Sequence, residues 1–416
     1  MKVLIWHGYL LGGTGSNVYT RALARAFANL GHEVVVFSQD PAPESYDLGG
    51  ARVVRPDLGG GPLPVFVLDR YEGVEARYLQ DLSWDERRDF VERNAAAVRE
   101  HLPADLLLVN HVLLGAPVGV ASGAPFVVKA HGSELEFSIR GNEPLADWAA
   151  ESLDEAKAVL AGSEHIRGVL QAVVGPGEYL ERVHVVPPGV DVDELRPEPR
   201  DLALAGLLEE SRRDEPNPGR ADERRPDDGN ADRLAAFFAD EAPTVVYVGK
   251  LSDEKGVGLL LDALDRLPEV RAVIVGFGPE REALEARAPE RVLFTGPLEH
   301  RHLAHLWPLA DVSVTPSVFA EAFGMVAAEA AACGSPPLVA RHSGLAEIAA
   351  AVEREYPPQF RELASFETGD VDDLEAKLRA MLALTPEERA QLGLAARKAV
   401  VEQFGWERIA ALILSL

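Results

Sequence analysis

The stretch Val245-Val-Tyr-Val248 runs directly into Gly249-Lys250-Leu-Ser-Asp-Glu-Lys255-Gly256, after which apolar residues return at helical spacing from about Gly258 to Leu267. A short unbroken run of β-branched and aromatic residues ending in glycine is the signature of a strand buried on both faces, and such strands occur in parallel sheets covered by helices. The segment therefore reads as strand, loop and helix in a parallel α/β domain. The same succession opens the chain: Val3-Leu-Ile-Trp6, then Gly12-Gly13-Thr14-Gly15, then a helix from Ser16 to Leu30 with Val18, Ala22, Ala26, Phe27 and Leu30 on one face and Gly31 to stop it. Further strands are expected at Glu33–Ser38, Leu106–Val109, Phe126–Lys129, Ala158–Ala161 and Val183–Val186. Beyond the first quoted stretch they are expected at Ala272–Val275, Val292–Phe294, Val312–Thr315 and Leu338–Ala340, with a helix from about Phe323 to Cys333.

Between these two series, Arg196 to Pro243 is rich in Glu, Asp, Arg, Pro and Gly and poor in apolar anchors. It reads as an exposed linker or insertion, because few apolar groups leave little to offset the entropy of ordering it. The expected organisation is one α/β domain over residues 1–190, a hinge and acidic insertion over 191–243, and a second α/β domain over 244–395. No fixed-period repeat is present.

A chain of 416 residues with 47% hydrophobic and 26% charged residues has material for two or three globular domains. Its formal charge of −26 argues against nucleic acid or an anionic membrane as a general partner, while leaving room for a small anion held by a few local cations. Cys333 is the only cysteine, which excludes an internal disulfide and suits a reducing, cytoplasmic setting. The apolar region Leu106–Val128 is interrupted by Asn110, His111, Pro117 and Pro125, so no transmembrane segment is expected.

Open parallel sheets bind ligands beyond the carboxyl ends of their strands, which directs attention to the strand-to-helix loops. Gly12 to Gly15 allows a ligand to approach the backbone near a helix N-terminus, although it reads equally as a tight turn and is not the G-x-G-x-x-G dinucleotide fingerprint. The chain has only seven lysines, and Lys250 and Lys255 share one loop. Two ammonium groups at the mouth of a sheet suit a diphosphate, the alternative being a solvated turn paired with Asp253 and Glu254. Glu321-Ala-Phe-Gly-Met-Val-Ala-Ala-Glu329 sets two carboxylates in an apolar segment, where they need polar partners such as sugar or ribose hydroxyls. The amides of Gly324, Met325 and Val326 would point toward a phosphate. His131-Gly132-Ser133-Glu134 follows a strand and could meet a substrate or be structural. Ser163 reads as an N-cap, His7 and His111 have no distinguishing context, and Asp191-Val192-Asp193 is a poor candidate for metal.

The joint order of Gly12–Gly15 with Asn17, His131-Gly132, Pro188-Gly189-Val190-Asp191, Gly249-Lys250 with Lys255-Gly256, Val275-Gly276-Phe-Gly278-Pro279, Glu321-x7-Glu329, Cys333-Gly334 and Gly344 to Glu347 resembles the retaining glycosyltransferases of family 4. That resemblance implies the GT-B fold, two Rossmann-like parallel-sheet domains facing across a cleft, with a C-terminal helix over about residues 396–416 crossing back to the first domain. It implies transfer of a hexosyl group from a nucleotide diphosphosugar, UDP- or GDP-linked, to a small-molecule, glycan or lipid-linked hydroxyl, with retention and without a metal or other cofactor. In this family pattern Lys250 and Lys255 meet the donor diphosphate, Glu329 the ribose, and Glu321 with the amides of Phe323 to Val326 the sugar and its phosphate. Gly276 belongs to the donor site. His131 would lie near the reacting carbon, and Gly13, Ser16 and Asn17 would line the junction of acceptor and diphosphate. The sequence departs from the pattern at Lys250, often Arg, at Ser335-Pro336-Pro337, and at Ser343-Gly344, which replaces a Gly-Gly pair. Acceptor choice is assigned to Asp47–Arg70 and the loops near Asn110 and Ser138. The competing readings are a non-catalytic nucleotide-sugar sensor, a sugar-nucleotide epimerase of the same fold and, less favoured, an NAD-dependent oxidoreductase.

Overall fold

Runs such as Val-Leu-Ile-Trp, Val-Val-Val-Phe and Leu-Leu-Leu-Val are apolar at every position because both faces of their strands are covered, and these residues are almost wholly buried. In the computed structural model, which describes residues 1–67 and 74–416, they build two parallel sheets in two separate units. Residues 68–70 of the segment assigned to acceptor choice lie outside the described residues.

The first unit comprises Met1–Gly189 and Trp406–Leu416. Its main sheet uses β1 (Lys2–Trp6), β2 (Glu33–Phe37), β3 (Arg52–Val54), β6 (Leu106–Asn110), β7 (Val127–Lys129), β8 (Ala158–Ala161) and β9 (Val183–Val185), while β4 (Leu63–Val65) and β5 (Ala76–Tyr78) form a small separate pair. The order β3-β2-β1-β6-β7-β8-β9 reverses direction between β1 and β6, so the loops following those strands flank a topological switch point. The helix Gly15–Asn29 packs through Tyr19, Leu23, Ala26 and Phe27. Its buried stripe is thus rotated from the expected one: Leu30 is exposed, and Tyr19 and Leu23 take the inward positions.

The second unit, Val190–Gly405, carries β10 (Thr244–Val248), β11 (Arg271–Val275), β12 (Val292–Gly296), β13 (Val312–Thr315), β14 (Pro337–Ala340) and β15 (Ser365–Phe366) in the order β12-β11-β10-β13-β14-β15. Here the switch lies between β10 and β13. The helix expected from Phe323 starts at Met325, because Gly324 at φ +102° occupies the N-cap.

The expected linker is part of this unit. Arg200–Arg212 and Asn230–Phe237 are helices, and Ala203, Leu207, Leu234 and Phe238 join the core of the second sheet. Several charges of this segment are paired, which composition cannot reveal: Asp227 is buried against Arg281 at 2.5 Å, and Arg301 meets Glu210 at 2.9 Å and Asp214 at 2.5 Å. A few well-placed apolar side chains plus these ion pairs order a segment whose average composition resembles a disordered chain.

The expected C-terminal helix over 396–416 is two helices, Pro386–Phe404 and Trp406–Leu414, broken where Gly405 adopts an extended conformation. Gly405 forms a parallel bridge with Val190, whose amide donates to Phe404 O at 2.7 Å. The last helix inserts Trp406, Ile409, Ala410 and Ile413 into the core of the first unit beside Val3, Leu23 and Phe27. Gly189 is required there, since a Cβ would fall 2.3 Å from Trp406 Cδ2.

Candidate active site

In the first unit β1, β6 and β7 are adjacent, and each carries a histidine just beyond its carboxyl end: His7, His111 and His131. Their rings gather because the strands do, with centroids 5.9 Å apart for His7–His111 and 4.6 Å for His111–His131. His7 Nε2 lies 2.8 Å from Asn17 Oδ1 and 3.1 Å from Leu10 O, two acceptors that require this nitrogen to carry the proton. Asn17 Nδ2 in turn donates to Gly12 O. The Asn17 amide, expected at the ligand, is thus buried and used to hold the Gly12–Gly15 loop. Gly13 lies exposed at the loop tip with φ +91° and nothing within 4 Å of a notional Cβ, so backbone conformation rather than crowding calls for glycine. Ser16 Oγ lies 3.2 Å from Thr14 Oγ1.

His131 Nε2 is 2.9 Å from Asn110 Oδ1, and its backbone amide donates to Glu134 Oε1 at 3.0 Å. Glu134 is fully buried; the same Oε1 accepts from Val112 N at 2.9 Å, and Oε2 accepts from His111 Nδ1. Burial, with like charge from neighbouring His111, pulls His7 down to about 3 and His131 well below the usual imidazole range, so both rings are neutral at pH 7. Beneath them Lys129 donates to Val186 O at 2.7 Å, and burial lowers its ammonium to about 7.

In the second unit the loops after neighbouring β10 and β13 meet. Lys255 Nζ forms an ion pair with Glu321 Oε1, and both side chains remain partly exposed. Lys250 is exposed on the same loop. The packing of these loops explains their glycines: a Cβ on Gly276, at φ +144°, would fall 1.8 Å from Gly249 O, and one on Gly256 would fall 2.0 Å from Pro316 O. Glu321 is gripped by the turn after β14, with its amide donating to Ser343 Oγ at 2.9 Å and its carbonyl accepting from Gly344 N at 3.0 Å. Gly324 then turns the chain into Met325–Ala332, an eight-residue helix whose first amides, including those of Met325 and Val326, lack intrahelical acceptors. Phe323 is core, stacked edge-on against Phe404 at 5.2 Å. Glu329 is buried farther along the helix, where burial foremost and nearby Glu194 push its carboxyl up to about 7; His300 Nε2 lies 3.2 Å from its Oε1. Glu321 and Glu329 thus take different partners.

Two family models divide the chain between them. Residues 13–194 match the model "Glycosyltransferase Family 4" and residues 230–399 match "Glycosyl transferases group 1". The chain belongs to glycosyltransferase family 4. The family 4 chain is 28% identical to a D-inositol 3-phosphate glycosyltransferase of Xylanimonas cellulosilytica, over 97% of this chain and 91% of that one. It is 26% identical to a GDP-mannose-dependent alpha-(1-6)-phosphatidylinositol monomannoside mannosyltransferase of Mycolicibacterium smegmatis, over 71% and 70% of the two chains. Its fold, GT-B, is shared with Anabaena HepE solved in complex with UDP, at TM-score 0.70 and 17% identity, covering 100% of this chain and 99% of that chain.

Several residues of the two clusters, one in each unit, escaped the sequence reading. His7 and His111 carried a usable signal, namely their place just after strands that flank the switch point. Glu134, Ser343 and His300 carried none, because the contacts that bring them to these clusters, with Val112, Glu321 and Glu329, span 22 or more residues of sequence. Among the other candidates, Ser163 caps its helix by accepting from Ile166 N at 3.2 Å, and Asp191 Oδ1 accepts from the amides of Asp193 and Glu194 at 3.2 and 3.0 Å. No helix among the described residues is long and apolar enough to cross a membrane.

Proposed function

We propose that this chain transfers a hexosyl group from a nucleotide diphosphosugar, UDP- or GDP-linked, to a hydroxyl acceptor with retention of anomeric configuration and without a metal. The observation that carries the reading is the junction of Lys255, Glu321 and the Gly324-capped helix beyond adjacent strands of the second sheet. A lysine paired with a partly exposed glutamate can exchange that carboxylate for a phosphate, and the freed carboxylate can then accept a sugar hydroxyl. Lys250 adds positive charge on the same loop, and the helix N-terminus adds oriented amides. The carboxylate form of Glu329 accepts both hydroxyls of a ribose.

In the reaction, the bond between the anomeric carbon and the diphosphate oxygen breaks while the acceptor oxygen bonds to the same face of that carbon. The acceptor proton passes to the departing phosphate oxygen, so no protein nucleophile is used. The chain's work is then placement and stabilisation of the charge that grows on the diphosphate. A neutral His131 fits placement of a sugar hydroxyl rather than stabilisation of an anion.

The relatives named above support a cyclitol phosphate or a phosphatidylinositol glycoside as acceptors to examine first. The test is nucleoside diphosphate release from UDP-, GDP- and ADP-sugars in the presence of these acceptors, with thermal protection by each donor alone as a binding readout. Acceptor-dependent release with one donor is expected. Donor binding without release under any acceptor would instead favour a nucleotide-sugar sensor.

A further inference from the structure

Ser343 opens the helix Ser343–Glu355 with φ +46°, in the left-handed region that disfavours side chains other than Gly, Asn and Asp. Glycine would satisfy that backbone without strain, so a serine here needs a reason in its hydroxyl. The hydroxyl has a definite place. Ser343 Oγ accepts from the Glu321 amide at 2.9 Å and lies 2.8 Å from His342 Nδ1, while His342 Nε2 lies 2.7 Å from Ser317 O. A carbonyl only accepts, so Nε2 carries a proton, and in the neutral ring Nδ1 accepts from the serine hydroxyl. The direction of the chain is then fixed: Glu321 N–H to Ser343, Ser343 O–H to His342, His342 N–H to Ser317 O.

The far end of this chain returns to the lysine loop. Ser317 Oγ donates to Glu254 O at 3.1 Å, and the amides of Val318 and Phe319 reach the same carbonyl at 2.9 and 3.2 Å, immediately before Lys255. Gly344 completes the grip by donating to Glu321 O, and its own Cβ, were there one, would lie 2.4 Å from Phe323 Cα. Glu321 and Lys255 are therefore referenced to one another through backbone as well as through their ion pair.

We propose that Ser343, with His342, is a positioning residue that fixes the Glu321 carboxylate for the transferred sugar, and that it retains a strained backbone for this purpose. The sugar contact rests on the function proposed above; the clamp itself does not. Two variants separate strain from hydrogen bonding: Ser343→Gly removes both, and Ser343→Ala removes only the hydrogen bonds. The first readout needs no ligand. Hydrogen exchange at the Glu321 amide should accelerate about three- to tenfold in both variants, the loss expected for one neutral hydrogen bond, while Ser343→Gly melts at or above Ser343→Ala. The second readout is calorimetric titration with UDP-glucose, GDP-mannose, UDP and GDP. The affinity advantage of the sugar nucleotide over its nucleotide should shrink by a similar factor, with nucleotide affinity itself unchanged. Wild-type exchange and wild-type sugar discrimination in both variants would overturn the proposal. A wild-type protein that binds none of the four ligands would overturn the proposed function, and the exchange measurement would still decide the clamp.

Discussion

Replacing Glu134 by Ala and by Gln probes the construction of the histidine cluster in the first unit. Its carboxylate accepts three hydrogens from buried donors, the Val112 amide at 2.9 Å and the His131 amide at 3.0 Å on Oε1, and His111 Nδ1 on Oε2. Alanine leaves all three without an acceptor in a place that is closed to water. At about 1–3 kcal/mol for each orphaned group, reduced by relaxation and by any water that enters the new cavity, a total loss of about 3–5 kcal/mol is expected. Glutamine is nearly isosteric, and its oxygen can keep both backbone amides. Its NH2 group, however, faces a nitrogen that donates in the native protein. His111 must then move its proton to Nε2, a buried atom with no hydrogen-bond partner, so Glu134→Gln should cost about 1–2 kcal/mol. Urea unfolding followed by tryptophan fluorescence is the assay, because Trp6, Trp84, Trp148 and Trp406 all belong to the first unit and only Trp307 to the second. The midpoint should fall in the order wild type, Gln, Ala. Equal midpoints for the two variants, or a glutamine variant matching wild type, would refute the assignment of Glu134 as the shared acceptor.

Three further outcomes follow from the second unit. Lys255→Ala should lower turnover roughly 10²- to 10³-fold, the usual effect of deleting one preorganised charge at a reacting diphosphate, measured as nucleoside diphosphate release at saturating donor. Gly276→Ala should destabilise the second unit by more than about 3 kcal/mol, because its Cβ would lie 1.8 Å from Gly249 O and its φ of +144° suits glycine alone; calorimetric melting is the check. Glu329 is raised to about 7 in the folded protein, so its contribution to stability is complete below the unfolded value near 4.5 and is lost as pH rises through about 7. Relative to Glu329→Gln, the wild type should therefore lose roughly 2–3 kcal/mol between pH 4.5 and 7.5, read from urea midpoints across that range.

The strands were legible because burial on both faces writes itself as unbroken apolar runs; β1, β2, β6 and β10 all lie within a residue of their expected bounds. Two of the edge strands, β3 and β15, were not. Arg52–Val54 and Ser365–Phe366 gain their hydrogen bonds from a neighbouring strand and have too few residues to show a period. The acidic segment misled for a related reason, since the partners that order Asp227 and Arg301 lie 54 and 91 residues away. In the second unit, Lys255 and Glu321 stood out in the sequence because each sits in a loop whose glycines and charges are local. Their ion pair, and the hold of Ser343 on Glu321, depend on β13 lying beside both β10 and β14, an order that the sequence does not display.

The proposed reaction transfers a sugar from a sugar nucleotide with retention of configuration. Proton NMR of the product formed by the wild-type chain reads both parts at once, from the anomeric coupling constant and the new glycosidic linkage. The expected product is a glycoside with the same anomeric configuration as the donor, accompanied by one nucleoside diphosphate per linkage and nearly absent with Lys255→Ala. An inverted product, or nucleotide released with only free sugar beside it, would contradict the proposed reaction.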